Sequence, residues 1–310
     1  MGLMRSVLLA MSESAWLRDN APKIGFVRRA VTRFMPGDDV ASALAATRDL
    51  APQRIGTVLT QLGENLTDPN QAHGVRQHYT SVYQQARAAG LDVEISAKLT
   101  QLGLDFSTDL CEQNLAALAD CARQHNNWLW IDMESTAYTD RTLEIYRRLR
   151  AKFPNTGVCL QAYLYRTEDD AKSLLRAGGH IRLVKGAYRE PPDKAFPKKR
   201  DVDANYFALA GLLLGPDAQR NGTRAIFGTH DAALIRRIES LARSNSVPAA
   251  RLEFQMLYGI QRAEQARLAA AGHPFRVLIS YGPAWYAWYM RRLAERPANI
   301  LFVLKSLFSH

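Results

Sequence analysis

Cysteine is scarce in this chain of 310 residues: Cys111, Cys121 and Cys159 are an odd number with no C-x-x-C spacing. A disulfide framework and a cysteine zinc site are therefore excluded as organising devices, and a reducing compartment is the default. Long apolar runs are lacking too. The stretch from Val7 to Met11 is too short for the core of a signal peptide, and no run of about 18 apolar residues occurs, so neither export nor a membrane span is expected. No strand-like segment is followed by G-x-G-x-x-G or G-x-x-x-x-G-K-[ST], which removes the main support for a nucleotide-binding open sheet. What the chain does have is 47% hydrophobic and 23% charged residues, enough apolar mass for a folded globular core. Its length allows two domains, or one barrel with an appendage. The excess of 40 Lys and Arg over 30 Asp and Glu, a net +10, permits an anionic partner without demanding one.

From residue 54 onward, eight β-rich runs recur: TVLTQLGE (57–64), VEISAKL (93–99), WLWIDME (128–134), VCLQAY (158–163), IRLVKGAY (181–188), AIFGTH (225–230), LEFQML (252–257) and FRVLISY (275–281). Their starts are spaced by roughly one β-α-β step, and helix signals fill the gaps. Asp68-Pro69 caps one helix that Gly90 closes, and Asp109 with Glu112 has the pattern of a capping box. Thr167 opens a further helix ending at Gly178-Gly179, and Asp231 starts another. Eight such units fit either a doubly wound sheet or a (β/α)8 barrel. The strand ends carry Glu64, Lys98, Asp132, Gln161 with Tyr163, Lys185 with Tyr188, His230, Gln255 and Tyr281. Polar groups at every carboxyl end favour the barrel, whose active face collects all eight loops. Residues 1–50 read as a short N-terminal helical segment and residues 51–310 as the catalytic barrel with a terminal helix over its mouth. The charge-dense connection from Arg189 to Arg200 reads as long and exposed.

The segment YGPAWYAWYMRRLAERPAN (281–299) predicts a helix over about 283–296, since Pro283 suits a first turn and Pro297 stops it. On it Arg291 and Arg292 present two guanidiniums, Glu295 lies one turn from Arg291, and Trp285, Trp288 and Tyr289 supply an apolar wall. By itself this also fits a terminal amphipathic helix with a solvated arginine pair.

Seven motifs in order, SAKLTQLG (96–103), IDMES (131–135), LQAY (160–163), IRLVKGAY (181–188), GTHD (228–231), FQMLYG (254–259) and YMRRLAE (289–295), together resemble the proline dehydrogenase family over roughly residues 54–300. The resemblance implies a stand-alone flavoprotein on a (β/α)8 barrel that uses FAD to oxidise L-proline to Δ1-pyrroline-5-carboxylate. It also implies that the electrons pass to a membrane quinone. Arg291 and Arg292 match the pair that clamps the proline carboxylate, for which guanidinium geometry is suited, and Glu295 matches the acid beside them. Lys98 and Asp132 match polar groups on the substrate side, Tyr188 and Tyr281 match pocket residues, and Leu257 is a candidate contact for the proline ring. Arg182 matches the basic group near flavin N5, and Gln161 a hydrogen-bonding partner of the isoalloxazine. Thr229 and His230 match groups near the adenosine half. Val184, Lys185, Gly186 and Ala187 match backbone close to the cofactor, with Gln255 also on that side. The family often has tyrosine three residues before the arginine pair, where this chain has Trp288, so discrimination against hydroxylated proline is open. Because the loops after strands 1 and 8 of a barrel are neighbours, Glu64 is read as a gating partner of Arg291.

Other readings attach to the same residues. Lys98 or Lys185 would serve as the imine-forming lysine of a barrel aldolase. The dispersed basic clusters would suit a nucleic-acid-binding protein, but no nucleic-acid motif accompanies them, and none is expected as a partner. No metal is expected. The expected location is the cytoplasm, with peripheral contact between the basic surface and an anionic membrane.

Overall fold

A computed structural model describes residues 34–63, 66–188 and 190–285. Within them the eight expected strands all form: β1 (Gly56–Gln61), β2 (Val93–Ala97), β3 (Leu129–Ile131), β4 (Thr156–Gln161), β5 (Ile181–Val184), β6 (Ala225–Gly228), β7 (Glu253–Leu257) and β8 (Phe275–Tyr281). Each pairs in parallel with the next, and β8 pairs with β1, so the sheet is a closed barrel in sequence order. Most strands are shorter than the sequence runs, whereas β8 matches its run and β4 is displaced two residues towards the N-terminus. β3 stops at Ile131 and β5 at Val184, which leaves Asp132 and Lys185 to Tyr188 in the loops that leave the barrel mouth.

Nine α-helices accompany the strands among the described residues: α1 (Val40–Leu50), α2 (Pro69–Ala88), α3 (Thr108–Gln124), α4 (Thr136–Arg150), α5 (Thr167–Arg176), α6 (Lys199–Leu213), α7 (Pro216–Arg220), α8 (Ala232–Ser244) and α9 (Arg262–Ala270). The Asp68-Pro69 start is a full capping box, with Gln71 as the returning side chain, and Gly90 follows α2 at φ +64°. Asp231 caps α8 by accepting from the Leu234 amide. The capping box expected at Asp109 is not the start of α3. Ser107 caps it two residues earlier, accepting from Leu110 N, and Asp109 sits in the first turn, where a carboxylate favours the helix dipole.

The connection from β5 to α6 is exposed only in part. Phe196 N donates to Tyr163 O (2.8 Å), Tyr165 N to Lys194 O (3.1 Å), and Ala195 is buried against Leu164. The loop therefore adds a short antiparallel bridge over the end of β4. The apolar core lies in the layer between strands and helices, from Leu59 and Ile95 to Leu115, Ile235 and Phe254, and α1 joins it through Ala43, Leu44 and Ala46.

The floor of the barrel is ionic instead of aliphatic. Glu94 is ion-paired with Arg224 (2.8 Å) and Arg276 (3.0 Å) and accepts from the indole of Trp130 (2.7 Å), and Glu253 accepts from Arg224 Nε and Nη2 (2.8 Å each). Trp130 lies where Gly157 has no side chain, since a Cβ there would be 2.2 Å from the indole. Arg224 also lies over the ring of Trp128, and His180 meets that ring edge-on at 4.8 Å. His180 Nδ1 accepts from Arg224 N at 2.9 Å, so the neutral imidazole is the form that fits.

Burial, reinforced by the positive charges of Arg150 and Arg224, depresses the His180 pKa to about 4. The unfolded chain then takes up a proton near pH 6.5 while the folded chain resists it down to about pH 4. Stability is complete above that window and falls as pH drops through it, by on the order of 3 kcal/mol in total. His180→Asn, which keeps an acceptor for the Arg224 amide, is expected to flatten the fall in melting temperature between pH 7 and 4. An unchanged slope would remove His180 as its cause.

Candidate functional site

In a parallel barrel, residues paired in register share a face, and successive residues alternate between lumen and outer layer. The pairs Val58 with Glu94, Ser96 with Trp130, Trp130 with Gly157, Cys159 with Arg182, Gln161 with Val184, Val184 with Gly228, and Gly228 with Gln255 therefore form one continuous set. Leu257 with Leu278 and Ser280 with Thr60 close it around the barrel. It is the lumen face, because Arg182 of β5 reaches across to Ser96 of β2 at 2.7 Å. Of the residues expected in the site, Gln161, Arg182, Val184, Gln255 and Leu257 lie on this face, and Lys98 and Asp132 continue its alternation one residue past β2 and β3.

The centre of the arrangement is a closed triangle. Arg182 Nη2 donates both to Ser96 Oγ and to Asp132 Oδ1, and Ser96 Oγ donates to the same carboxylate oxygen at 2.8 Å. The Arg182 side chain is 3% exposed and that of Asp132 21%, so the pair stands at the boundary between floor and mouth. Burial opposes the guanidinium's charge, but Asp132, Cys159 and Glu94 outweigh it and raise the arginine's pKa. Arg182 Nη1 is buried without a hydrogen-bond partner, and so are Gln161 Oε1, Gln255 Oε1 and Ser280 Oγ. Their opposite ends are occupied where the structure defines them: Gln161 Nε2 donates to Met133 O (3.2 Å) and Gln255 Nε2 to Glu253 (3.4 Å). Buried polar atoms rarely stay unpaired, so this group fits a planar ligand bearing its own donors and acceptors, as a flavin does. Lys98, half-buried two residues beyond Ser96, lends positive charge near Glu134. Burial raises the Glu134 pKa, while bonds from Thr100 N and Oγ hold its carboxylate in place.

Several expected residues have other partners. Tyr281 belongs to the opposite alternation from Ser280. It faces α2, is buried, and its hydroxyl is 2.8 Å from His78 Nε2, which places it behind the wall of β8 instead of in the pocket. Lumen-facing Leu278 and Ser280 occupy the place expected for it. Lys185 is ion-paired with Asp203 and, at 3.1 Å, Asp231. An ammonium held by two carboxylates is a poor imine-forming nucleophile, which argues against the aldolase reading at this position. Gly186 has φ +114°, and a Cβ there would be 2.3 Å from the Tyr163 ring, so the glycine serves packing against a tyrosine. Thr229 Oγ1 accepts from Asp231 N (3.2 Å), and His230 Nε2 accepts from Leu257 N (2.9 Å), so both brace the exits of β6 and β7. Ala187 and Tyr188 follow in the same half-buried loop. Glu64, Trp288, Arg291, Arg292 and Glu295 lie outside the described residues, as does nearly all of the helix expected over 283–296.

Ser96 was missed by sequence reasoning, although its signal was present: it stands two residues before Lys98 in one β-rich run, hence on the same face of the alternation. Among the described residues, no group of three or more His, Cys, Asp or Glu side chains could hold a metal ion.

The sequence profile described as proline dehydrogenase matches residues 43–305. Proline dehydrogenase 1 of Bacillus subtilis (strain 168) is 36% identical over 305 residues, 98% of this chain and 99% of that protein. Proline dehydrogenase of Deinococcus radiodurans is 35% identical over 280 residues, 89% of each. Among solved structures, proline utilization A from Bradyrhizobium japonicum, in a mutant form, superposes with a TM-score of 0.73 at 26% identity over 89% of this chain. The proline utilization A of Bdellovibrio bacteriovorus inactivated by N-propargylglycine has a TM-score of 0.77 at 24% identity, a likeness of fold, over 86% of this chain. The chain spans about a third (32%) of each of those longer proteins.

Breaking a buried pair from one side leaves a charge without a partner. Asp132→Ala is expected to lower unfolding stability by about 3 kcal/mol or more, and adding Arg182→Met should restore part of the loss. Urea unfolding of the purified protein measures both. A double variant no more stable than the single one would show that Asp132 is not what keeps Arg182 buried.

Proposed function

The chain belongs to the proline dehydrogenase family, and from that premise we infer that it oxidises L-proline to Δ1-pyrroline-5-carboxylate with FAD as the hydride acceptor. The observation that carries the assignment to this site is the buried Arg182 guanidinium, fixed by Asp132 and Ser96, with Nη1 unpartnered on the same lumen face as the unpartnered amide oxygens of Gln161 and Gln255. A flavin held there would supply the hydride acceptor for the ring carbon next to the proline nitrogen. Arg182 supplies a fixed positive charge where negative charge accumulates, and Asp132 limits its movement. Gln161 and Gln255 would accept hydrogen bonds from the ring system. Val184 and the Lys185–Ala187 backbone would flank it, with Thr229 and His230 towards the adenosine half.

On the substrate side, Arg291 and Arg292 hold the carboxylate, Glu295 braces them, and Trp288, Leu257 and Tyr188 enclose the ring. Lys98 adds positive charge at the mouth. Glu64 is assigned to close the site with Arg291, a role supported by the six-residue pairing of β1 with β8, which brings the two exits together. The net charge of +10 supports delivery of electrons to a quinone at an anionic membrane surface from the cytoplasmic side. No helix among the described residues is long and apolar enough to cross a membrane.

Anaerobic addition of L-proline to the purified, FAD-loaded protein should bleach its visible flavin absorption. Arg291→Met and Arg292→Met should each retain the flavin but weaken proline binding by about tenfold to a hundredfold, the loss of a charge-assisted bond. Glu64→Ala should weaken binding or slow reduction at full flavin content. A loaded protein that L-proline leaves oxidised would overturn the assignment. Variants with the parent's affinity and reduction rate would overturn only the residue roles.

A further inference from the structure

Arg182 and Asp132 are expected in the site from the sequence, and the geometry adds a third group that contacts both. The Arg182 Nη2 nitrogen has two hydrogens. One goes to Asp132 Oδ1 and the other to Ser96 Oγ at 2.7 Å, while the serine hydroxyl gives its own proton to that same Oδ1 at 2.8 Å. With the carboxylate alone, a guanidinium held by one nitrogen on one oxygen could pivot about that contact. The second acceptor, on another strand, fixes its plane. Ser96 is fully buried on β2, its register partner is Trp130 on β3, and its carbonyl accepts from the Tyr79 hydroxyl at 3.4 Å. The Trp130 ring lies 5.7 Å from the Arg182 Cζ, which limits movement on a further side. The atom left over is Nη1, buried and without a partner, on the same lumen face as Gln161 and Gln255.

We propose that Ser96 is a positioning residue: its hydroxyl orients the Asp132–Arg182 pair so that Arg182 Nη1 remains available to the flavin. This rests on the flavin-binding function inferred above. Ser96 touches neither substrate nor cofactor in this role; it acts through Arg182. Its loss should therefore alter the electron affinity of the bound flavin more than it alters flavin content or the fold.

Sulfite is a suitable probe because it adds to oxidised flavin through its sulfur lone pair, leaves negative charge on the ring, and needs no turnover. In the FAD-loaded protein, Ser96→Ala should weaken sulfite binding about tenfold, the scale of one charge-assisted hydrogen bond. Ser96→Thr, which keeps the hydroxyl, should return most of that affinity even if its added methyl lowers the melting temperature. Asp132→Asn, nearly isosteric, should change sulfite affinity as well and combine non-additively with Ser96→Ala, since both act on one guanidinium. This pair of variants decides the matter should threonine overpack the site. Parent-like sulfite affinity in Ser96→Ala, or full additivity with Asp132→Asn, would overturn the positioning role and leave the assigned activity standing. A parent protein that binds no flavin would overturn both.

Discussion

The arrangement depends on keeping one guanidinium charged inside the barrel. Removing an arginine from water carries a penalty of several kcal/mol that only close, well-oriented acceptors offset. Arg182 meets that requirement with a carboxylate from the exit of β3 and a hydroxyl from β2, two strands that are not neighbours of its own. Much of the neighbouring chemistry follows from this reach. The arginine crosses the lumen among small, polar or planar residues, Ser96, Cys159, Trp130 and Gly157, with the branched Ile226 as its register partner on β6.

Below Arg182 lies a second ionic layer of Glu94, Arg224, Glu253 and Arg276. It is joined to the first through Trp130, which donates to Glu94 and lies against both Arg182 and Arg224. Such a core gains less from hydrophobic transfer than an aliphatic one and relies on geometry to satisfy every charge. The consequence is a stiff platform under the site, because a shift of any member exposes another member's charge. The apolar stabilisation lies outside, between strands and helices, where Leu59, Ile95, Leu115 and Ile235 pack. The barrel thus keeps its fold-stabilising layer and its charge-holding layer on opposite faces of the same strands.

This division explains what was legible in the sequence. Alternating β-rich runs at regular spacing identify eight strands, and polar residues at their carboxyl ends identify the mouth. The caps at Asp68 and Asp231 are local devices, visible within four residues, and both form. Strand parity is not local. Whether Ser280 or Tyr281 faces the lumen depends on the register of β8 against β1, set by contacts more than two hundred residues apart in sequence. Similarity of motif placed Tyr281 in the pocket, and register moved it behind the wall. Lys185 and Gly186 show the same limit: the K-G pair at a strand end is conspicuous in the sequence, but the partners that hold the lysine side chain and exclude a side chain at the glycine, Asp203, Asp231 and the Tyr163 ring, are brought in by other elements.

The relocation of Tyr281 gives it a different use. Its carbonyl accepts from Leu62 N at 2.7 Å, and its hydroxyl meets His78 of α2 at 2.8 Å, so the last residue of β8 is held both by the exit of β1 and by the helix that follows β1. Gly282 comes next at φ +124°, where a Cβ would be 2.9 Å from Leu62 O; the chain can leave β8 this close to β1 only without a side chain. Burial raises the tyrosine's pKa, with Tyr79 nearby adding to the shift, and lowers that of His78, so both groups favour their neutral forms and the contact stays a hydrogen bond between uncharged partners. A fixed departure point matters because the arginine pair lies ten and eleven residues beyond Tyr281 in the sequence. An error in direction at the end of β8 would be magnified along that length, so the Tyr281–Leu62 and Tyr281–His78 contacts constrain the direction in which the chain leaves the barrel.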